Sequence, residues 1–145
     1  MKRLVAFAVV MLIWPFTTPV ARASCSQANL KGAYAVAGQG TLVTSLPGIP
    51  APAPWAESSL ANFDGAGGLS GKGTVNIGCV VLNITFTGTY NVNSDCTGDV
   101  TIDTNSGITV HHAIVVIGNG KRFIETESDP NFAVVQYSVE KLQEE

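Results

Sequence analysis

The sequence has little positive charge. Its 145 residues include only eight lysines and arginines against eleven aspartates and glutamates, which gives a formal net charge of −3. Three of the eight, Lys2, Arg3 and Arg22, precede residue 24, so the remainder carries five basic residues and a net charge of −6. Nucleic acids and anionic membranes are both bound mainly through basic side chains. We therefore expect neither of them as a partner.

The sequence also lacks an apolar run long enough to span a bilayer, which needs about 20 residues. The run from Leu4 to Phe16 follows Lys2 and Arg3 and is followed by the Ala21-Arg22-Ala23 cleavage pattern. Lipid attachment at Cys25 is the alternative, but Arg22 stands where a lipoprotein signal carries an apolar residue. We predict a cleavable signal peptide at residues 1–23, export to the periplasm or beyond, and no membrane anchor.

No window after residue 23 shows the 3.6-residue apolar period of a helix, whereas alternation at period two recurs. In the clearest example, Leu82, Ile84, Phe86, Tyr90 and Val92 share one face of a strand and the intervening polar residues share the other. Turns rich in Gly, Asn and Asp divide the chain at short intervals. The pattern predicts eight strands, A to H, near 33–43, 56–63, 68–77, 80–92, 98–104, 107–117, 121–127 and 132–140.

Eight short strands joined mostly by tight turns favour an antiparallel up-and-down barrel, in which closure removes the exposed edges. A β-sandwich is the alternative fold, but it needs more long crossovers than this chain has. The long connection, Thr44 to Trp55, contains four prolines and is predicted to be a loop over one end of the barrel. Residues 24–145 are thus predicted to form a single all-β domain.

The chain has only three cysteines, so at least one cannot pair within it. In an up-and-down barrel, successive connections alternate between the two ends, and the end at which strand A begins is called the bottom here. Cys25 and Cys96 then lie at the bottom, and Cys79 lies at the top. Because a disulfide requires Cα atoms within about 7 Å, we predict a Cys25–Cys96 disulfide and a free thiol at Cys79.

The residues that could carry chemistry are few. His111 and His112 are neighbours on a strand and point to opposite faces, so they cannot jointly hold one metal ion. Glu125 and Glu127 share one face of strand G, where paired carboxylates could perform acid–base catalysis. The more conservative interpretation is a structural His112 and a solvated face for the two glutamates. No nucleophile elbow, phosphate-binding loop or zinc motif occurs in the sequence, and we expect no cofactor and no metal.

Short motifs resemble known families. Asn29–Tyr34 resembles the opening strand of calycins, the lipocalins and avidins, and Phe86–Tyr90 resembles an avidin strand. Cys25–Tyr34, Phe63–Gly67 and Tyr90–Gly98 together resemble small secreted bacterial proteins of unassigned function. The calycin resemblance implies a barrel that can hold a small ligand, and we transfer no ligand-contacting residues from it.

Three functions follow as hypotheses. The first is a non-enzymatic secreted barrel that binds a small apolar ligand at its open top end. The second is a structural or surface-interaction protein with a filled core. The third is a hydrolase or isomerase that uses His112 with Glu125 or Glu127. For the first, the expected lining residues are Trp55, Phe86, Tyr90, Val110, His112 and Ile114.

Overall fold

The two-residue alternation of apolar and polar side chains runs through eight strands that close into a barrel. The computed structural model describes residues 24–142, so the predicted signal peptide lies outside the described residues. A short 3-10 helix, Gln27–Asn29, precedes the first strand. The strands are β1 (Lys31–Leu42), β2 (Ala53–Asp64), β3 (Gly68–Ile77), β4 (Val80–Val92), β5 (Thr97–Thr104), β6 (Thr109–Ile117), β7 (Arg122–Glu127) and β8 (Ala133–Lys141).

Each strand pairs antiparallel with the next, and β1 pairs with β8 to close the sheet. The predicted all-β up-and-down barrel is therefore confirmed, and the sandwich alternative is wrong. The largest difference in a strand's start is in the second strand. We expected strand B to begin near residue 56, but β2 begins at Ala53, with Pro54 opposite Thr41. A proline is accepted there because it lies at the very start of the strand, where few ladder hydrogen bonds are lost.

The bottom of the barrel is filled. The rings of Tyr34, Phe63, Tyr90 and Phe123 pack edge-on or tilted, with centroids 5.1 to 5.8 Å apart. Leu30, at the end of the 3-10 helix, is fully buried beneath them. The Tyr90 hydroxyl donates a hydrogen bond to the Leu30 carbonyl at 2.8 Å, and the Tyr34 hydroxyl donates one to the Gly120 carbonyl at 2.7 Å. Buried phenols thus keep their hydrogen bonds, and this end is closed to a ligand.

The predicted disulfide is present at the same end. Cys25 and Cys96 are bonded, with their Cα atoms 4.9 Å apart and a sequence separation of 71. The Cys25 amide also donates to the Ser94 carbonyl at 3.3 Å. The bond ties the segment before β1 to the β4–β5 turn. Cys79, in the β3–β4 turn, is a free and exposed thiol.

The long β1–β2 connection folds back over the top. Leu46 and Ile49 form an isolated antiparallel bridge, and Ile49 is buried. Leu46 and Ile49 both pack against the barrel core. No helix within residues 24–142 is long and apolar enough to cross a bilayer.

Candidate functional site

The upper part of the barrel interior contains a cavity of about 90 Å³. Its walls are mainly apolar, with contributions from Leu46 of the top loop and Phe132 of the β7–β8 turn. Several inward-pointing residues at the top, including Ile84, Ile102 and Val110, are only half-buried. Apolar side chains that point inward yet keep contact with solvent indicate that the cavity opens at the top.

His112 lies on the cavity wall in the middle of β6. It shares the inward face with Ile114 and Val116, and its side chain is 3% exposed. The neighbouring His111 points outward and is 53% exposed, as alternation along a strand requires. The imidazole of His112 stacks on the ring of Tyr137, with centroids 5.1 Å apart and an interplanar angle of 22°.

The β6–β7 register brings two carboxylates to His112. Glu127 is its direct cross-strand partner, and Glu125 lies opposite Ile114, one inward position further along. His112 Nε2 lies 3.2 Å from Glu127 Oε2, and Nδ1 forms a hydrogen bond with Glu125 Oε1. Both carboxylate side chains are almost completely buried, at 7% and 2% exposure. The expectation of a solvated glutamate face is therefore wrong, because closure of the barrel turns this face of β7 inward.

Two carboxylates around one imidazole favour its charged form. Burial by itself lowers the pKa of His112, but the hydrogen bonds and negative charges of Glu125 and Glu127 outweigh this effect and raise the pKa to about 10. At neutral pH, both ring nitrogens therefore carry protons and donate to carboxylates. No ring nitrogen is left to accept a proton from a substrate, which argues against a general-base role for His112.

The turn after β7 supports this arrangement from outside. The Asp129 backbone amide donates to Glu127 Oε1 at 3.0 Å, so both oxygens of Glu127 have partners. The side chain of Asp129 in turn accepts from the His111 amide at 2.8 Å and lies 2.8 Å from His111 Nδ1. These contacts with His111 hold the pKa of Asp129 below its ordinary value against the opposing effect of burial. The adjacent histidines therefore meet different acidic partners, one inside the barrel and one outside.

Glu57 is a further acidic residue on the cavity wall, and no sequence motif singled it out. It points inward from β2 and is half-buried, and its Oε1 accepts a hydrogen bond from the Ser59 hydroxyl at 2.6 Å. Burial raises the pKa of Glu57, and the charge of Glu125 raises it further. The alternation of Ala53, Trp55 and Glu57 on one face was the signal that could have placed it inside.

Trp55 and Tyr137 complete the polar part of the wall. The Trp55 indole Nε1 is buried and has no hydrogen-bond partner within the described residues, although the indole is near enough to Glu57 to lower its pKa. Burial, followed by the charges of Glu57, Glu125 and Glu127, raises the pKa of Tyr137, so its phenol stays protonated. The ring of Tyr137 lies over Gly38 of β1, where a Cβ atom would approach within 2.3 Å of it. A glycine at position 38 thus makes room for the ring that stacks on His112.

The six expected lining residues do not all lie together. Trp55, Phe86, Val110 and His112 line the cavity. Tyr90 and Ile114 point inward but lie lower in the barrel and do not line the cavity, because the 3-10 helix and the aromatic cluster fill that end. Within residues 24–142, no three His, Cys, Asp or Glu side chains are placed so that they could hold a metal ion.

Comparison with known proteins gives a likeness of fold. No protein-family model matches the chain, and no curated protein matches it. Among solved structures, a redesigned β-barrel superposes with a TM-score of 0.57 at 15% sequence identity, covering 87% of this chain and 100% of the designed one. At this identity the match concerns architecture alone, and it agrees with the closed eight-stranded barrel described above.

Proposed function

We propose that this protein is a calycin-like barrel that binds a small, largely apolar molecule in the cavity at its top end and is not an enzyme. The observation that carries the proposal is the cavity of about 90 Å³ itself, with mainly apolar walls and a few polar groups. Concave apolar sites with a small number of placed polar groups are the usual form of a small-molecule site. A barrel with a filled core would have no such space, and the engaged ring nitrogens of His112 argue against the hydrolase or isomerase alternative.

Export is part of the same proposal. The Cys25–Cys96 disulfide supports it, since such bonds persist in oxidising compartments. The predicted signal peptide at residues 1–23 would direct the chain there. The mass of the protein recovered from an expressing bacterial culture tests this prediction. A chain beginning at Ser24 in the periplasm or medium is expected, and an intact N-terminus in the cytoplasm would contradict it.

Binding is tested with small apolar probes and a cavity-filling variant. Benzene, toluene and propylbenzene are titrated into the oxidised protein while amide chemical shifts are followed by NMR. We expect saturable shifts for residues that line the cavity. Val110→Phe would fill the cavity and is expected to weaken binding by at least about tenfold, a loss of about 1.4 kcal/mol.

The matched control is Val115→Phe, which places the same bulk on the outer, exposed face of β6. It is expected to bind the probes like the wild type. If none of the probes causes a saturable shift, or if both variants bind equally well, the proposal is wrong.

A further inference from the structure

The charges inside the cavity are unbalanced. Five titratable groups line it, and they come from four strands: Glu57 of β2, His112 of β6, Glu125 and Glu127 of β7, and Tyr137 of β8. No lysine or arginine of the described chain lines the cavity. The one imidazolium faces two carboxylates, so this group has a net negative charge even before Glu57 is counted.

Glu57 and Glu125 differ from Glu127 in their hydrogen-bond partners. Glu57 Oε1 accepts from Ser59, and Glu125 Oε1 meets His112. Glu57 also interacts with the Tyr137 phenol and the Trp55 indole, and the side chains of Glu57 and Glu125 both line the cavity. Glu127 differs, because both of its oxygens have partners. Glu57 and Glu125 are therefore the two carboxyl groups that a ligand can reach.

Aromatic rings surround the same space. Trp55, Phe86 and Tyr137 all line the cavity, and the faces of such rings attract cations, with tryptophan the strongest. The unpartnered Trp55 indole also bears on the charge of Glu57. The indole lowers the pKa of Glu57 and so favours the ionised carboxylate with which a cation would pair.

We propose that the cavity selects small protonated amines, with the ammonium group at Glu57 and Glu125 and an apolar body that extends towards the open top. This inference rests on the proposed function and specifies the chemical class of the ligand. An anionic ligand such as a carboxylate would have to lose its hydration beside carboxylates, and the one cationic group, His112, already has both ring nitrogens engaged by glutamates, which is strongly unfavourable.

The size of the cavity limits the apolar body. A dry cavity of about 150 Å³ holds one benzene molecule, whereas this cavity measures about 90 Å³ and opens at the top. A single ring or a short branched chain that partly emerges at the opening fits this space. Long acyl chains and multi-ring pigments are too large to be enclosed in this volume.

Three probes of similar shape separate charge from size: 2-phenylethylamine, propylbenzene and 3-phenylpropionate. Each is titrated into the oxidised protein at pH 7 by NMR. We expect the amine to bind at least about tenfold more tightly than the neutral probe, and the carboxylate to bind more weakly than both. Glu57→Gln is expected to remove the preference for the amine while leaving propylbenzene binding intact.

Glu140→Gln is the matched control, since it removes the same charge from an exposed position on β8. It should preserve the preference for the amine. If propylbenzene binds but the amine binds no better, or if both glutamine variants behave alike, the inference on ligand class is overturned and the binding proposal stands. If all three probes fail to bind, the binding proposal falls with it. Should Glu57→Gln fail to fold, the ranking of the three probes on the wild type still decides.

Discussion

His112 lies directly opposite Glu127 in the β6–β7 ladder, and its two ring nitrogens face two different carboxylates. An ion triplet of this kind inside an apolar barrel loses much hydration, and its stability depends on the mutual neutralisation of its members. The same triplet occupies interior space that a hydrophobic core would otherwise fill. Its energetics can be measured independently of any ligand.

Removing the cation of the triplet alone should strongly destabilise the fold. His112→Gln leaves two buried carboxylates without their shared partner, and we expect it to lower the free energy of unfolding by about 3–5 kcal/mol. Urea unfolding of the oxidised protein measures this. Replacing all three residues with leucine removes every charge together, and we expect a stability within about 2 kcal/mol of the wild type or above it. If His112→Gln were as stable as the wild type, the three charges would not stabilise one another.

The titration of His112 should determine how stability depends on pH above neutrality. Its pKa is 6.5 in its ordinary state and about 10 in the folded barrel. The contribution of protonated His112 to the free energy of unfolding is therefore fully present below pH 6.5. It is lost as the pH rises towards about 10, so the free energy of unfolding falls by up to about 1.4 kcal/mol per pH unit. Urea unfolding between pH 6 and 10 in the Cys79→Ser background, which avoids thiol exchange, measures the slope. The triple leucine variant should lack it, and an equal slope in both proteins would contradict the assignment.

At lower pH two opposite trends meet. The pKa of Glu57 is raised, mainly by burial, so its favourable contribution is complete below its ordinary value of 4.5 and is lost as the pH rises through the folded value. Backbone and side-chain hydrogen bonds lower the pKa values of Asp64 and Asp95, so their contributions are lost as the pH falls below 3.8. We expect maximal stability in weakly acidic solution. A thermal-melting series from pH 3 to 8 checks this, and a maximum above pH 7 would be inconsistent with it.

The disulfide should matter far more than the third cysteine. Replacing Cys25 and Cys96 by serine opens a loop with a sequence separation of 71, and we expect a loss of about 2–5 kcal/mol in the free energy of unfolding. Cys79→Ser, at an exposed position, should change it by less than about 0.5 kcal/mol. The urea midpoints of the two variants measure these losses. Equal losses would mean that the disulfide does not stabilise the barrel.

Gly38 should be coupled to Tyr137. A methyl group at position 38 would lie 2.3 Å from the Tyr137 ring, so Gly38→Ala must displace the ring and is expected to cost about 1–3 kcal/mol. Tyr137→Leu removes the ring and relieves that clash. The double variant should therefore lose less than the sum of the two single losses, as measured in a double-mutant cycle. If the two single losses simply added in the double variant, Gly38 would not be needed to accommodate the Tyr137 ring.

Alternation and turn residues were sufficient to predict most of the architecture. The predicted strand 80–92 and the observed β4, Val80–Val92, coincide, and the alternation of connections between two ends singled out Cys25 and Cys96. These features depend on local backbone preferences and on the period of two, which are readable along the chain. The same alternation indicated that Phe86 and Tyr90 share a face. It contained no information on their depth, and only Phe86 reaches the cavity.

The eight strands, the barrel and the disulfide could all be predicted from the sequence, because each depends on neighbouring residues or on strand order. That Glu125 and Glu127 face inward became evident only in the closed barrel. A charged residue on a single strand is expected in water, and here barrel closure and the β6–β7 register supplied His112 as a buried partner 13 and 15 residues away. The charge of the cavity, and thus the proposed preference for amines, is a property of cross-strand register that no local pattern contains.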